Sequence, residues 1–221
     1  MPKVKQLIHC RTKKSLVIDG TVAIVGSSDL LGGSTFGEEI DKHDHVFRFN
    51  LASLDEQYRT AIGSKADFYL LSQNITTLKY PHPEPSQSHF KNICRNSKII
   101  CYPGHTKNIL KFNKRPYLMA HNDEYINRVE EINHIFYQLL GHMKWAFSNQ
   151  HHPRNGIKLI SCLLPAGIKP DLYGFDLADR GNNSHYFDDE FQKETPERGH
   201  KPSVEFQLLK ELEAKDLIRV Y

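Results

Sequence analysis

The sequence predicts an α/β fold, specifically a single-domain, doubly wound and mostly parallel sheet. Three observations predict it. Short β-branched segments alternate with helical segments, a glycine-rich turn follows the first strong strand, and small polar residues follow the predicted strands. In open sheets of this kind, ligands bind outside the carboxyl ends of the strands. We therefore expect a ligand site where these polar residues gather.

The individual elements are predicted from local patterns. Strands are short runs rich in β-branched and aromatic residues. Thr35 and Glu38 have capping-box spacing, which predicts a helix beginning near Thr35. Ser203 is predicted to cap a last helix whose apolar residues Phe206, Leu208, Leu209 and Leu212 face inward. The predicted strands are 22–25, 46–50, 68–71, 98–102 and 171–175, and the further predicted helices are 123–147, 156–164 and 204–215.

Length and charge limit the classes of protein. The 221 residues carry a formal net charge of +3 and fit one domain, predicted over 1–221. No apolar run of about 18 residues occurs, so no membrane span is predicted. The basic N-terminus, with Lys3 and Lys5, lacks an apolar signal core and predicts either a solvated edge or peripheral contact with an anionic membrane. Because the net charge is modest, no nucleic-acid partner is predicted. The absence of a signal core and of a membrane span in the sequence predicts a cytoplasmic location.

The four cysteines form neither a CxxC pair nor a set with zinc-ligand spacing. This pattern favours a reducing compartment and predicts no structural zinc.

The glycine-rich turn follows the strand predicted at 22–25. Gly26 and the pair Gly32-Gly33 flank two serines and an aspartate. Glycines let a backbone approach a ligand closely, and amides at a helix start favour an anion. The spacing is not GxGxxG, a Walker lysine is missing, and the second strand ends at Asn50, where a dinucleotide enzyme usually carries an acid. The turn alone therefore predicts either a nucleotide site of another kind or only a tight turn.

Histidines supply the candidates for acid–base chemistry, because imidazole titrates near neutral pH. His152 precedes the PRNG segment that opens a predicted helix, an arrangement suited to a phosphate. His185 lies in a long polar loop, and His200 lies just ahead of the last helix. A lone loop histidine is usually a surface residue. No HExxH or similar spacing occurs, so no metal site is predicted.

Four sequence blocks, taken together, resemble the eukaryotic-type sialyltransferase family, glycosyltransferase family 29, which transfers sialic acid from CMP-sialic acid. The large motif resembles 22–64 through AIVGSS, GEEIDKHD, VFRFN and IGSK, and the small motif resembles 152–175 through PRNG and LYGF. The third motif resembles HYFD at 185–188, and the very small motif resembles His200 with Glu205. The blocks occur in the family's order, whereas 73–150 contributes nothing to the match.

The resemblance implies a Rossmann-like, GT-A-variant transferase with a CMP-activated sugar as donor and a glycan or glycolipid as acceptor. It implies that His200 is the general base and that His185 helps to bind the donor phosphate. The reaction would be a single inverting displacement that needs neither a metal nor a cofactor. The donor-binding residues implied by the resemblance are Gly26, Ser27, Ser28, Asn50, His152, Asn155, Gly156, Gly174 and Phe175.

The sequence also departs from the family pattern. The cysteines that the family joins by a disulfide correspond to Val22 and Gly167, and the loss of both fits folding in a reducing cytosol. Ser27 stands where the family often has asparagine, and His152 stands where a tyrosine is common. Arg154 and the residue after it replace Ser-Thr, so Arg154 is predicted to serve either a donor carboxylate or the surface.

These departures leave the donor sugar open between sialic acid and Kdo or another nonulosonic acid. Two other classes also remain open at this point: a nicotinamide-dependent oxidoreductase and a non-catalytic nucleotide-binding module.

Some motif residues have a structural interpretation. Asp41 and Arg48 are predicted to form an internal ion pair, and Tyr173 and Phe175 suit core aromatics. Glu205 is predicted to stabilise the last helix from its first turn.

Overall fold

The described residues form a parallel sheet of seven strands, flanked by helices. The computed structural model describes residues 6–8, 15–50, 52–71, 93, 98–101, 117–118, 154–164, 167–177 and 202–221. Strand β1 (Gln6–Ile8) pairs antiparallel with β2 (Ser15–Val17) as a separate two-stranded unit. The large sheet contains β3 (Val22–Val25), β4 (His45–Phe49), β5 (Phe68–Leu71), β6 (Lys98–Cys101), β7 (Tyr117–Leu118), β8 (Asp171–Tyr173) and β9 (Arg219–Val220).

The strand order is β7-β6-β5-β4-β3-β8-β9, and every neighbouring pair is parallel. The chain winds outward from β3 through β7 on one side and continues with β8 and β9 on the other side. The order therefore reverses between β3 and β8, which makes this pair the topological switch point. The predicted doubly wound fold is confirmed.

The described helices are α1 (Gly37–Asp41), α2 (Arg59–Ile62), α3 (Asn155–Leu163) and α4 (Pro202–Ala214), with 3-10 turns at Asp29–Gly33 and Glu56–Tyr58. They cover both faces of the sheet. Along β3, Val22 and Ile24 pack with α3 and α4, whereas Ala23 and Val25 pack with α1 and α2. This alternation is the period of two that a strand buried on both faces requires. The inward face predicted for the last helix is confirmed, since Phe206, Leu208, Leu209 and Leu212 are buried.

Two helix starts differ from the prediction. The capping box at Thr35 does not form: α1 begins at Gly37, and its N-cap Phe36 makes no side-chain cap bond. Packing fixes this start, because a Cβ on Gly37 would clash with the carbonyl of Arg59 in α2. Ser203 lies inside the first turn of α4, since the helix begins at Pro202, a residue suited to a first turn. The predicted helix 123–147 lies outside the described residues.

Several large-motif residues hold the turn after α2. The carboxylate of Asp41 accepts hydrogen bonds from the backbone N–H groups of Ser64 and Lys65, each at 2.9 Å. Arg48 is fully buried and donates to the carbonyls of Ile62 at 2.6 Å and Lys65 at 2.9 Å. Burial raises the pKa of Asp41, but the bonds from Lys65 and Ser64 and the nearby Arg48 charge outweigh burial and hold that pKa below its ordinary value. Asp41 and Arg48 thus order the same turn.

A second polar network lies at the amino ends of the strands. His43 Nε2 is 3.0 Å from Asp171 Oδ2, and His43 Nδ1 is 3.0 Å from the carbonyl of Glu39. Arg219 Nε lies 3.2 Å from the other oxygen of Asp171. His43 precedes β4 and Asp171 begins β8, so this network is at the edge of the sheet opposite the carboxyl ends.

Candidate active site

Three neighbouring strands end at the same edge of the sheet. Asn50 follows β4, Gly26 follows β3 and Gly174 follows β8, and the three strands are adjacent in the order β4-β3-β8. Because parallel strands present their carboxyl ends together, the structure places these three predicted site residues at the same end of the sheet, beside the switch point, in a region that we call the crevice.

The two sides of the switch point meet through glycines. The backbone N–H of Gly26 donates to the carbonyl of Tyr173 at 2.7 Å. A Cβ on Gly26 would overlap the carbonyl oxygen of Gly174, a backbone atom that has little freedom to yield. Gly174 has φ +70°, and a Cβ there would strike the side chain of Leu31. Only residues without a side chain permit this contact between the large and small motifs.

Phe175 joins the crevice to the start of α3. A Cβ on Gly156 would lie 2.5 Å from Cε1 of Phe175, so the ring packs directly on the backbone of the first helical turn. Phe175 also meets Phe49 edge to face, with 6.5 Å between ring centroids. Asn155 and Gly156 are the first two residues of α3, which places the positive end of the helix beside this half-buried ring.

Ser28 links the glycine-rich turn to a carboxylate. Its hydroxyl donates to Asp176 Oδ2 at 3.2 Å and accepts from the backbone N–H of Leu30 at 3.4 Å, which caps the 3-10 turn. Asp176 was not predicted as a site residue. The sequence signal that could identify it is an acidic residue shortly after β8, because β8 ends at the same edge of the sheet as the turn that contains Ser28. Ser27, between Gly26 and Ser28, is half-buried.

Asn50 directly follows β4 and has a left-handed backbone conformation with φ +50°. Its backbone N–H donates to the carbonyl of Leu70 at 3.0 Å, which fixes the bend. Asparagine adopts this conformation more readily than most residues other than glycine. The backbone conformation is therefore one reason for asparagine at this half-buried position, in addition to any contact with a ligand.

Arg154 contacts the buried carboxylate of Glu205, a partner that neither the surface role nor the donor-carboxylate role predicted for Arg154 includes. Glu205 is 1% exposed, and its carboxylate accepts from the backbone N–H of Arg154 at 2.8 Å and from Arg154 Nε at 2.5 Å. The guanidinium also lies 5.5 Å from the ring centre of Phe206. Glu205 lies in the first turn of α4, as predicted. It also connects that turn to Arg154, the residue that precedes α3.

The remaining predicted residues, His152, His185 and His200, lie outside the described residues. Among the residues that the structure does describe, no group of three or more His, Cys, Asp or Glu side chains is arranged to hold a metal ion. Nor does any helix within the described ranges have the length and apolarity to cross a bilayer.

The chain belongs to glycosyltransferase family 29, the sialyltransferases, whose family model matches residues 20–217. The match includes every described element of the crevice, from Gly26 to Glu205.

Similar proteins agree with this assignment. The mouse protein CMP-N-acetylneuraminate-beta-galactosamide-alpha-2,3-sialyltransferase 2 is 24% identical over 180 residues, which cover 75% of this chain and 46% of that protein. A pig alpha-2,3-sialyltransferase 1 is 25% identical over 206 residues, 83% of this chain and 49% of its own. The chain therefore spans about half the length of these curated relatives.

Solved structures show the same fold. A mammalian sialyltransferase in complex with Gal-beta-1-3GalNAc-ortho-nitrophenol superposes with a TM-score of 0.58 at 21% identity, covering 91% of this chain and 68% of that one. A variant of the sialyltransferase CST-II in complex with CMP gives a TM-score of 0.57 at 16% identity, covering 92% of this chain and 80% of its own.

Proposed function

We propose that this protein transfers sialic acid, or a related nonulosonic acid, from its CMP-activated form to a hydroxyl group of a glycan acceptor. The observation that carries the proposal is the meeting of two distant family motifs at the switch point. Gly26 and Asn50 come from the large motif, and Gly156, Gly174 and Phe175 come from the small motif.

The chemical character of the crevice suits a cytidine monophosphate. Phe175 offers an aromatic surface for a base, and the half-buried Asn50 carries an amide that can pair with a nucleotide. The first amides of α3, at Asn155 and Gly156, suit the phosphate because they lie at the positive end of a helix. A solved relative in complex with CMP supports the choice of nucleotide.

The proposed reaction is one displacement at the anomeric carbon of the donor. The acceptor oxygen forms a bond to that carbon as the bond from the carbon to the phosphate oxygen breaks, which inverts the centre. His200 takes the proton of the acceptor hydroxyl, and CMP leaves with the electron pair of the broken bond. His185 and the α3 amides stabilise the charge that grows on the phosphate, so that no metal ion is required.

The acceptor is either a free glycan or the glycan of a glycolipid. Support comes from the solved mammalian relative in complex with a disaccharide derivative. The relatives named as acting on a beta-galactosamide indicate a galactose-containing acceptor as the first to be offered.

The test is to offer CMP-Neu5Ac and CMP-Kdo separately, each with a galactose-containing glycan acceptor, and to measure the release of CMP with and without EDTA. We expect release from CMP-Neu5Ac that EDTA does not diminish. Release from CMP-Kdo alone would reassign the sugar. No release from either donor, together with no binding of CMP at millimolar concentration, would contradict the proposal.

A further inference from the structure

The contact between Arg154 and Glu205 joins two parts of the chain that lie 51 residues apart. Arg154 is the N-cap residue of α3, and its side chain makes no cap bond to the helix. Its side chain turns instead to α4, where Glu205 binds both the backbone N–H and Nε of the same residue. One carboxylate therefore fixes the position and the orientation of the residue from which α3 starts.

The contact is buried on the Glu205 side. The Glu205 side chain is 2% exposed, whereas the Arg154 side chain is 32% exposed. A buried carboxylate requires hydrogen-bond partners, and here both of its oxygens accept from Arg154. The guanidinium of Arg154 also lies over the ring of Phe206, which adds a cation–π contact on the same side.

The other end of the same helical turn faces the crevice. Gly156, two residues after Arg154, packs on the ring of Phe175, which follows Gly174 at the switch point. The start of α3 is thus held from one side by Glu205 and from the other by Phe175. A shift at Arg154 would move the amides of Asn155 and Gly156 relative to the crevice.

We infer that Glu205 and Arg154 are positioning residues for the phosphate of the nucleotide, and that they act by fixing the start of α3. The inference rests on the proposed function, since it assigns the phosphate to the α3 end of the crevice. On this inference Arg154 acts through its contact with Glu205 rather than by binding a donor carboxylate.

The experiment compares the affinities of CMP and cytidine for the same set of variants by calorimetry. Cytidine lacks the phosphate, so it reports the base and ribose side of the crevice alone. In Glu205→Ala and Arg154→Ala we expect CMP to bind about tenfold more weakly, as the loss of one charge-assisted hydrogen bond would produce. We expect cytidine to change by less than about twofold. Glu205→Gln retains an oxygen that can accept from the Arg154 N–H, and we expect it to keep most of the affinity for CMP.

A double variant separates positioning from direct contact. If the two residues act through one another, the double variant Arg154→Ala/Glu205→Ala will bind CMP no more weakly than the single variant with the lower affinity. If Arg154 instead binds the ligand directly, Glu205→Ala will preserve or strengthen CMP binding, and the inference is wrong.

Asp171→Asn is the matched control, because it removes a buried carboxylate that is also bonded to an arginine, but at the opposite edge of the sheet. We expect it to lower the melting temperature and to leave the ratio of CMP to cytidine affinity unchanged. If the Glu205 variants lose affinity for CMP and for cytidine by the same factor, the contact has only a general role in stability, and the inference is wrong. Failure of the wild type to bind either ligand would instead contradict the proposed function itself.

Discussion

The backbone of Gly26 lies against the carbonyl of Gly174 so closely that a single methyl group between them would overlap the oxygen. This contact joins β3, the first strand of the large sheet along the chain, to β8 across the switch point. It explains why the large motif has a glycine directly after β3, whereas Gly32 and Gly33 later in the turn have open space around them.

Gly26→Ala should therefore damage the site, and Gly32→Ala should not. Overpacking against a backbone atom costs about 1–3 kcal/mol, so we expect a lower melting temperature and weaker CMP binding for Gly26→Ala. Gly32→Ala adds the same methyl group where no atom lies within 4 Å. Thermal unfolding with and without CMP measures both effects. Equal behaviour of the two variants would contradict the role of the Gly26 contact.

Asn50 contributes both a backbone conformation and an amide, and two substitutions separate them. Asn50→Gly keeps the left-handed backbone at φ +50° and removes the amide, whereas Asn50→Ala also strains the backbone by roughly 1–2 kcal/mol. We expect both to weaken CMP binding, and only Asn50→Ala to unfold at clearly lower temperature. Wild-type affinity in Asn50→Gly would show that the amide does not touch the nucleotide.

Asp41 should make stability depend on acidity. Its folded pKa lies below the ordinary value of 3.8, so its contribution is complete above that pH and is lost as the pH falls through the lower folded value. Asp41→Asn should therefore be less stable than the wild type at pH 7, with a difference that shrinks below about pH 4. Chemical denaturation of both proteins between pH 2 and pH 7 measures this. A difference that stays constant with pH would contradict the assignment.

His200 is proposed as the general base, so His200→Ala should lower turnover about 10²-fold or more while CMP still binds. His43→Ala is the control, because it removes a buried histidine at the opposite edge of the sheet. We expect His43→Ala to lower the free energy of unfolding and to leave the turnover of the folded protein unchanged. Near wild-type release of CMP by His200→Ala would remove the assigned role.

Much of the fold follows from local sequence. The β-branched run at Val22–Val25 and the apolar run at Phe68–Leu71 form strands with the predicted bounds. Strands buried on both faces have such continuous apolar runs, and Val22–Val25 and Phe68, Tyr69 and Leu70 are buried. The start of α1 was missed, because Gly37 is placed by contact with α2 rather than by the local capping pattern at Thr35.

The site was predictable only in part. Polar and glycine residues after strands indicated the crevice, since parallel topology gathers strand ends. The contact of Arg154 with Glu205 and that of Ser28 with Asp176 join residues far apart in sequence, and no local pattern specifies such a pairing. The sequence predicts a surface or ligand-binding role for Arg154, because its partner Glu205 is brought near only when α4 packs beside α3.

The central claim is that CMP binds at the switch point between β3 and β8. Backbone amide NMR during a CMP titration tests it most directly. We predict that the largest changes in amide chemical shift occur at Gly26, Asn50, Gly156 and Gly174. The amides of His43 and Asp171, at the opposite edge of the sheet, should change little. Saturable shifts that cluster around His43 and Asp171, or no shifts at millimolar CMP, would contradict the claim.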